Sequence, residues 1–245
     1  VIQNALPESL VARTLGHRIV EPFPALVQIN LDVPWRKRLD GLKTNAAVTM
    51  LLDGVPLRTE TGEILFTDYG LSGIPALQLS RIAAQYAEEH GRTVLSLDLF
   101  PETEVEALEA DIAARIRRTP HKTIEFGFVG FLHKRLIPVL LAEAGIEDIR
   151  RENATVTPDE IARIAQTFKQ WKAPCDGVQS WMSAQVTAGG VAVNEVNPAT
   201  LESLLTPGVY FAGEVLDIDG DCGGYNLQWA WSSGYIAGTN AAIKI

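Results

Sequence analysis

The sequence predicts an α+β protein: a barrel-like β-rich part, a small three-helix subdomain, and a strand-loop-helix at the end of the chain. Three observations predict it. Before residue 100, short Val-, Ile-, Leu- and Thr-rich runs alternate with glycine-containing turns. From about 101 to 172 the apolar residues recur by three and four. After Gly208, a buried-strand run leads into a glycine-rich loop and then a helix with small residues at packing spacing.

The elements follow in order. Pro7 to Leu15 reads as a short helix, with Pro in its first turn and Gly16 just past its end, where a left-handed residue is easily accommodated. Arg18 to Val20, Ala25 to Leu31, Ala46 to Leu52, Glu63 to Phe66 and Thr93 to Leu99 read as strands. Asp40-Gly41, Asp53-Gly54 and Thr61-Gly62 separate them as turns. These runs imply a mostly antiparallel sheet or a small barrel. Pro75 to Glu89, closed by Gly91, interrupts them as a helix with Leu79, Ile82, Ala83 and Tyr86 on one side.

Val105, Leu108, Ile112 and Ile116 mark the first helix of the subdomain, with acidic residues near its start. A second runs from about Leu132 to Ala144 with Gly145 as its stop, and Pro138 implies a kink or a later start. The third opens on Thr157-Pro158-Asp159-Glu160, a capping box in which the Thr hydroxyl and the Glu carboxylate satisfy exposed amides reciprocally. Ile161, Ile164, Ala165 and Phe168 then line one face.

Composition narrows the function. With 21 Lys and Arg against 30 Asp and Glu, the formal charge of −9 disfavours a phosphate backbone or an anionic membrane unless basic residues cluster strongly. Arg36-Lys37-Arg38, the nearest thing to a cluster, is too short for nucleic-acid binding and reads as a solvated turn. Cys175 and Cys222 lie far apart and outside C-x-x-C spacing, which indicates neither a disulfide framework nor a zinc site and suits a cytoplasmic protein. His17, His90, His121 and His133 lack metal-ligand spacing. No run of about 20 apolar residues suggests a membrane span, and no signal peptide is visible.

The richest chemistry lies between Gly208 and Gly238. Val209 to Ala212 reads as a buried strand ended by Gly213-Glu214, and Leu227 to Ala242 as a helix. Between them, Gly220, Gly223 and Gly224 allow a ligand to approach the backbone, and the helix start aims free amides and a positive dipole end at one spot. Glu214, Asp217, Asn226 and Gln228 add hydroxyl-binding groups, a combination suited to a polyol chain joined to a ring. Gly234 and Gly238 allow close contact with a neighbouring strand. Trp229 and Trp231, two apart, cannot share a helix face. Cys222 reads as a small residue filling a tight turn.

This run resembles the C-terminal FAD-binding signature of bacterial NAD(P)/FAD-dependent oxidoreductases, a group with aminoacetone-oxidase-like and BaiN-type members. Three stretches match in order: Leu15-Gly-His17-Arg-Ile-Val with Pro24-Ala-Leu-Val27; Thr61 to Gly73; and Val186-Thr-Ala-Gly189-Gly190-Val with Glu195 to Ser203. The resemblance implies a Rossmann-like FAD domain interrupted by a barrel and a helical bundle. It divides the chain into a remnant of the FAD domain (1–24), the β-rich insert (25–100), the three-helix subdomain (101–172), a return to the insert (173–190) and the C-terminal part of the FAD domain (191–245). It further implies FAD as cofactor, NAD(P)H as an electron donor and a small-molecule substrate.

On the same resemblance, Gly213, Glu214, Asp217, Gly223, Gly224, Tyr225, Asn226, Leu227 and Gln228 are flavin-proximal. Glu214 would lie at the ribityl chain and the Gly223 to Leu227 amides at the pyrimidine edge of the ring, stabilising reduced flavin. The sequence departs from the family twice. It lacks the G-x-G-x-x-G turn for the FAD pyrophosphate, which makes a missing N-terminal FAD-binding segment of the same protein an expected partner. It also has Asp68 where many relatives have His, and Asp68-Tyr69 reads as a turn. The leading expectation is an FAD-dependent oxidoreductase whose isolated chain is incomplete. The alternatives are a non-catalytic insert module with a remnant of the flavin site, and a sugar- or nucleotide-binding protein without redox chemistry.

Overall fold

The computed structural model describes residues 5–87 and 92–243, with side chains from residue 9 onward. In chain order it contains α1 (Ala5–Thr14), β1 (Ile19–Ala25), β2 (Ile29–Leu31), α2 (Arg36–Leu39), β3 (Lys43–Leu52), β4 (Val55–Phe66), β5 (Gly70–Ser72) and α3 (Ile74–Gln85). There follow β6 (Thr93–Asp98), α4 (Val105–Arg118), α5 (Ile124–Gly127), α6 (Leu136–Glu143), α7 (Pro158–Lys169), β7 (Trp171–Val178), β8 (Val186–Val191) and α8 (Tyr225–Ile243). The chain divides into two compact units: residues 1–28, 77–87 and 178–245 form one, and 29–76 with 88–177 the other. The 25–100 stretch is therefore shared between them.

The second unit is built on a closed barrel in the order β2-β5-β4-β3-β6-β7. Its period-2 pattern sends alternate side chains inward: Ala46, Val48 and Met50 from β3, Leu95 and Leu97 from β6, Trp171, Ala173 and Cys175 from β7 are all buried. Trp171 packs 4.3 Å from Trp35 and 5.6 Å from Phe66 by ring centroid. The β3–β4 hairpin turns on Asp53-Gly54, both at positive φ (51° and 81°), as a two-residue Asp-Gly turn requires. β4 begins eight residues before the expected Glu63; its first half carries Arg58 and Glu60 and shows no apolar run to mark it. Asp68 and Tyr69 do form a tight turn, closed by Thr67 N–H to Gly70 O at 2.9 Å.

The helical insert packs Leu108, Ile112 and Ile116 of α4 with Ile164, Ala165 and Phe168 of α7. α7 carries the expected capping box. α6 starts at Leu136, so Pro138 falls within its first turn, where its missing N–H breaks no helical bond. Arg36-Lys37-Arg38, expected as a turn, forms the one-turn helix α2 with Leu39 buried.

In the first unit, β1 and β8 form a two-stranded antiparallel sheet. The expected single strand Ala25 to Leu31 is broken at Leu26, whose φ of 47° ends β1. α1 ends where expected, with Gly16 at φ 91°. α3 starts at Ile74, and the expected stop at Glu89 and Gly91, like His90, lies outside the described residues. Val209 to Ala212 is not a strand. Its bonds go to a nearby turn, with Ser203 N–H donating to Val209 O (2.7 Å) and Phe211 N–H to Leu201 O (3.0 Å), and among the described residues its only strand-like pairing is a Tyr210–Glu202 bridge.

Candidate functional site

The glycine-rich loop is fixed from both sides. At its start, Gly213 adopts φ 72° and opens a short turn, Gly213–Val215. Its N–H donates to Ser233 Oγ (2.8 Å) and its carbonyl accepts from Trp229 Nε1 (3.1 Å), both on α8. Residues after the turn run parallel to the free edge of β8: Val191 bridges Leu216, and Asp217 N–H donates to Val191 O at 2.9 Å. The Glu214 carboxylate accepts the N–H of Thr187 on the same edge at 2.5 Å. An exposed strand edge leaves N–H groups unpaired, and Glu214 serves here as a stand-in for a third strand.

This approach needs glycine in β8. A Cβ on Gly190, at φ 128°, would lie 2.5 Å from Val215 O; one on Gly189, at φ 85°, would lie 2.6 Å from Glu21 O. Gly190 is thus a geometric requirement of bringing the Val215–Asp217 segment against β8, and Gly189 of the close approach of β1 at Glu21 and Pro22. Thr187 itself is 2% exposed, and its hydroxyl oxygen is buried with no hydrogen-bond partner. Sequence reasoning missed Thr187, Trp229 and Ser233. The glycine pair was the available signal for Thr187, and Ser233 gave none.

Further along, Asp219 receives Arg81 of α3 through two oxygens (2.9 and 3.1 Å), and Cys222 packs with Ala25, Leu26, Val186 and Ala188. Asn226 closes the loop on itself: Gly220 N–H donates to Oδ1 (2.9 Å) and Nδ2 donates to Gly220 O (2.8 Å). Gln228 donates to Ser232 Oγ, one turn on along α8, at 2.8 Å. Asn226 and Gln228, expected to meet a ligand, therefore spend these groups within the loop and helix.

Gly223 and Gly224 take φ values of 128° and 88°, and a Cβ on Gly223 would press the Tyr225 ring at 3.2 Å. The first turn of α8 closes with Gln228 N–H on Gly224 O, so the amides of Tyr225, Asn226 and Leu227 precede the helical ladder. Tyr225 and Leu227 have exposed side chains. Gly234 and Gly238 face open space, and the expected close contact with a strand is absent among the described residues. Trp229 and Trp231 point apart, the first packed on the core of this unit and the second exposed.

A second network lies in the same unit. His17, 3% exposed, places Nδ1 3.1 Å from Glu195 Oε2 and Nε2 2.8 Å from Ser203 Oγ. This carboxylate-imidazole-hydroxyl row superficially suits nucleophilic catalysis. Ser203 Oγ, however, already accepts the N–H groups of Leu205 (3.0 Å) and Thr206 (2.7 Å), leaving no lone pair with which to attack. It is a structural lock. Among the described residues, no three His, Cys, Asp or Glu side chains gather to hold a metal, and no helix is long and apolar enough to cross a membrane. Burial pushes the Cys175 thiol up to about 12.

Comparison with known proteins fits this architecture. Residues 23–186 match the family described as HI0933-like protein barrel and H2TH domain. A 3-dehydro-bile acid delta(4,6)-reductase of Clostridium scindens is 37% identical over 237 residues, which cover 96% of this chain and 57% of that protein. The ribosomal RNA dihydrouridine synthase of Escherichia coli is 32% identical over 236 residues (92% of this chain, 56% of that protein), and its Haemophilus influenzae namesake is 29% identical over 236 residues (92% and 55%). The chain spans little more than half the length of these relatives.

Proposed function

The chain belongs to the HI0933-like protein family, and on that premise we propose that it supplies the flavin-ring side of an FAD-dependent oxidoreductase. The observation that carries this reading is the anchored loop from Gly213 to Gly224. It leads into three amides at the start of a 19-residue helix, and the unpartnered hydroxyl of Thr187 sits in the same unit, beside the backbone bond to Glu214.

These residues fit a flavin. FAD, when bound, supplies hydride uptake and release at its ring. The amides of Tyr225, Asn226 and Leu227 would hold negative charge at the ring's pyrimidine edge, favoured by the helix dipole. Gly223 and Gly224 leave room for the ring to reach those amides. Glu214, with one oxygen committed to Thr187, would present the other to a ribityl hydroxyl, and Asp217 would lie beyond it. The bonds to Trp229, Ser233, Arg81 and Asn226 hold this constellation in advance of binding.

We further propose that the outer face of α8 is covered by a dinucleotide-binding segment of a longer protein. α8 has no charged residue, yet Leu227, Trp231 and Tyr235 are 66%, 73% and 76% exposed. Leu227, Trp231 and Tyr235 follow one another at a spacing of four and so share one stripe of the helix, an apolar surface that a partner would cover. That segment would hold the pyrophosphate, and the relatives have length for it.

The reaction class follows from the relatives' names: a delta(4,6)-reductase and a dihydrouridine synthase both concern hydrogen added across a carbon–carbon double bond. The substrate of the first reading is a small molecule with such a bond, and NAD(P)H is the donor. A second reading, favoured by two of the relatives, places the bond in a uridine of RNA. The test is the visible spectrum of the purified chain titrated with FAD. A shifted flavin band is expected; an FAD spectrum unchanged at millimolar protein would remove the reading for this chain.

A further inference from the structure

We infer that the second unit carries a positive band that binds an unpaired RNA strand through its phosphates. The choice of RNA over DNA rests on the second reading above, whereas the band stands on its own geometry and is independent of the flavin. Of the 21 Lys and Arg residues, six lie within 115–135, with Glu125 as the only acidic residue there. That stretch carries six charges against one, or +5; the rest of the chain carries 15 against 29, or −14.

Folding extends this stretch with a distant one. Arg135, just before α6, donates to Arg38 O (2.7 and 3.0 Å) and Asp40 O (2.7 Å), which sets the exposed Lys37 and Arg38 of α2 beside the exposed His133 and Lys134. On the other side, the Arg115 guanidinium lies 4.6 Å over the Phe131 ring, tying the end of α4 to the same loop. Three basic segments, 36–38, 115–118 and 133–135, thus join. Each is too short by itself, which is why Arg36-Lys37-Arg38 carried no such meaning in the sequence. Asp32, Asp40, Glu125 and Glu152, the last 3.7 Å from His121 Nδ1, are carboxylates at the band, outnumbered by its cations.

A base has somewhere to stack. Phe126 is 46% exposed, with Lys122 Nζ 5.4 Å from its ring centroid, and it lines a surface cavity of about 170 Å³ together with Arg115 and Arg118. Guanidinium groups beside an exposed aromatic face are what an unpaired strand engages: phosphates take the charges and a base takes the ring. An α-helical dipole or a single lysine would give no such combination.

The test is fluorescence anisotropy of a labelled, unstructured 15-nucleotide RNA with the whole chain at 50 mM salt. Micromolar binding is expected, with log Kd rising with log salt at a slope of about 3, as about four neutralised phosphates give on a single strand. The double variants K37E/R38E and R117E/R118E should each weaken it at least tenfold, and Phe126→Ala about fivefold or more. Lys172→Glu, an exposed charge on β7 outside the band, should stay within twofold. Circular dichroism of each variant separates lost binding from lost folding. Absence of binding, equal loss with Lys172→Glu, or tighter binding of the same DNA sequence or of phosphatidylglycerol vesicles would overturn the inference. The FAD titration reads the flavin proposal separately, so either can fail alone.

Discussion

Trp229 and Ser233, one turn apart on α8, hold both backbone polar groups of Gly213. The indole donates to Gly213 O at 3.1 Å and the Ser233 hydroxyl oxygen accepts Gly213 N–H at 2.8 Å, while Ser233 Oγ donates in turn to Trp229 O at 2.5 Å. The helix that presents free amides at its start thereby fixes the loop that precedes it. Ser233→Ala leaves a buried N–H unpaired and should cost about 1–3 kcal/mol. Urea unfolding of the variant against the parent chain checks this, and an unchanged midpoint would detach the loop from the helix.

Gly190 is the tightest position around Glu214. Gly190→Ala places a methyl 2.5 Å from Val215 O at φ 128° and should cost about 3 kcal/mol or more. Gly234→Ala, on the open face of α8, meets nothing within 4 Å and should stabilise the isolated chain by about 1 kcal/mol. Thermal melts of the two variants should move in opposite directions.

The buried His17 joins Glu195 and Ser203, which lie far from it in sequence. His17→Ala removes its ring from the edge of Phe211, 4.8 Å away, and leaves Glu195 and Ser203 without this partner. A loss of about 2–4 kcal/mol is expected. Ser203→Ala, were the row catalytic, would abolish an esterase activity. The lock account predicts no hydrolysis of p-nitrophenyl acetate above background in the parent chain.

Much of the barrel and helical insert was legible because their residues obey a single period. Val48, Met50 and Leu97 alternate, and Ile112, Ile116, Ile164 and Phe168 recur by three and four. The capping box at Thr157 was legible residue by residue, since its chemistry is local. The strand at Val209 to Ala212 was misread because its apolar run buries against α1 and α8 without a neighbouring strand. The first half of β4 was missed because it is charged. At the site, the glycines and Glu214 stood out, but Asn226 and Gln228 have internal partners that only the three-dimensional path of the loop supplies.

The capping box also gives a pH signature. Burial raises the Glu160 pKa, but the hydrogen bonds from Thr157 and the Arg151 guanidinium outweigh it, and the folded value lies below 4.5. A depressed carboxyl pKa stabilises the fold above the unfolded value, and that contribution is lost as pH falls through the folded one. Glu160→Gln should therefore lower stability at pH 7 and flatten its decline below about pH 4.5, read by urea melts across that range.

The two cysteines differ in the same testable way. Cys175, buried in the barrel with its thiol pushed up to about 12, should resist Ellman's reagent at pH 8, whereas the half-buried Cys222 should react. One thiol should titrate in the folded chain and two in urea. Two in the folded chain would contradict the packing of β7.

A ¹⁵N–¹H correlation spectrum titrated with FAD addresses the proposed flavin site at the loop and the start of α8 amide by amide. The prediction is saturable shifts at Gly223, Gly224, Tyr225, Asn226 and Leu227, with Thr187 and Glu214 following, even where affinity is only millimolar. Shifts confined to the barrel, or none at all with the chain folded, would contradict it.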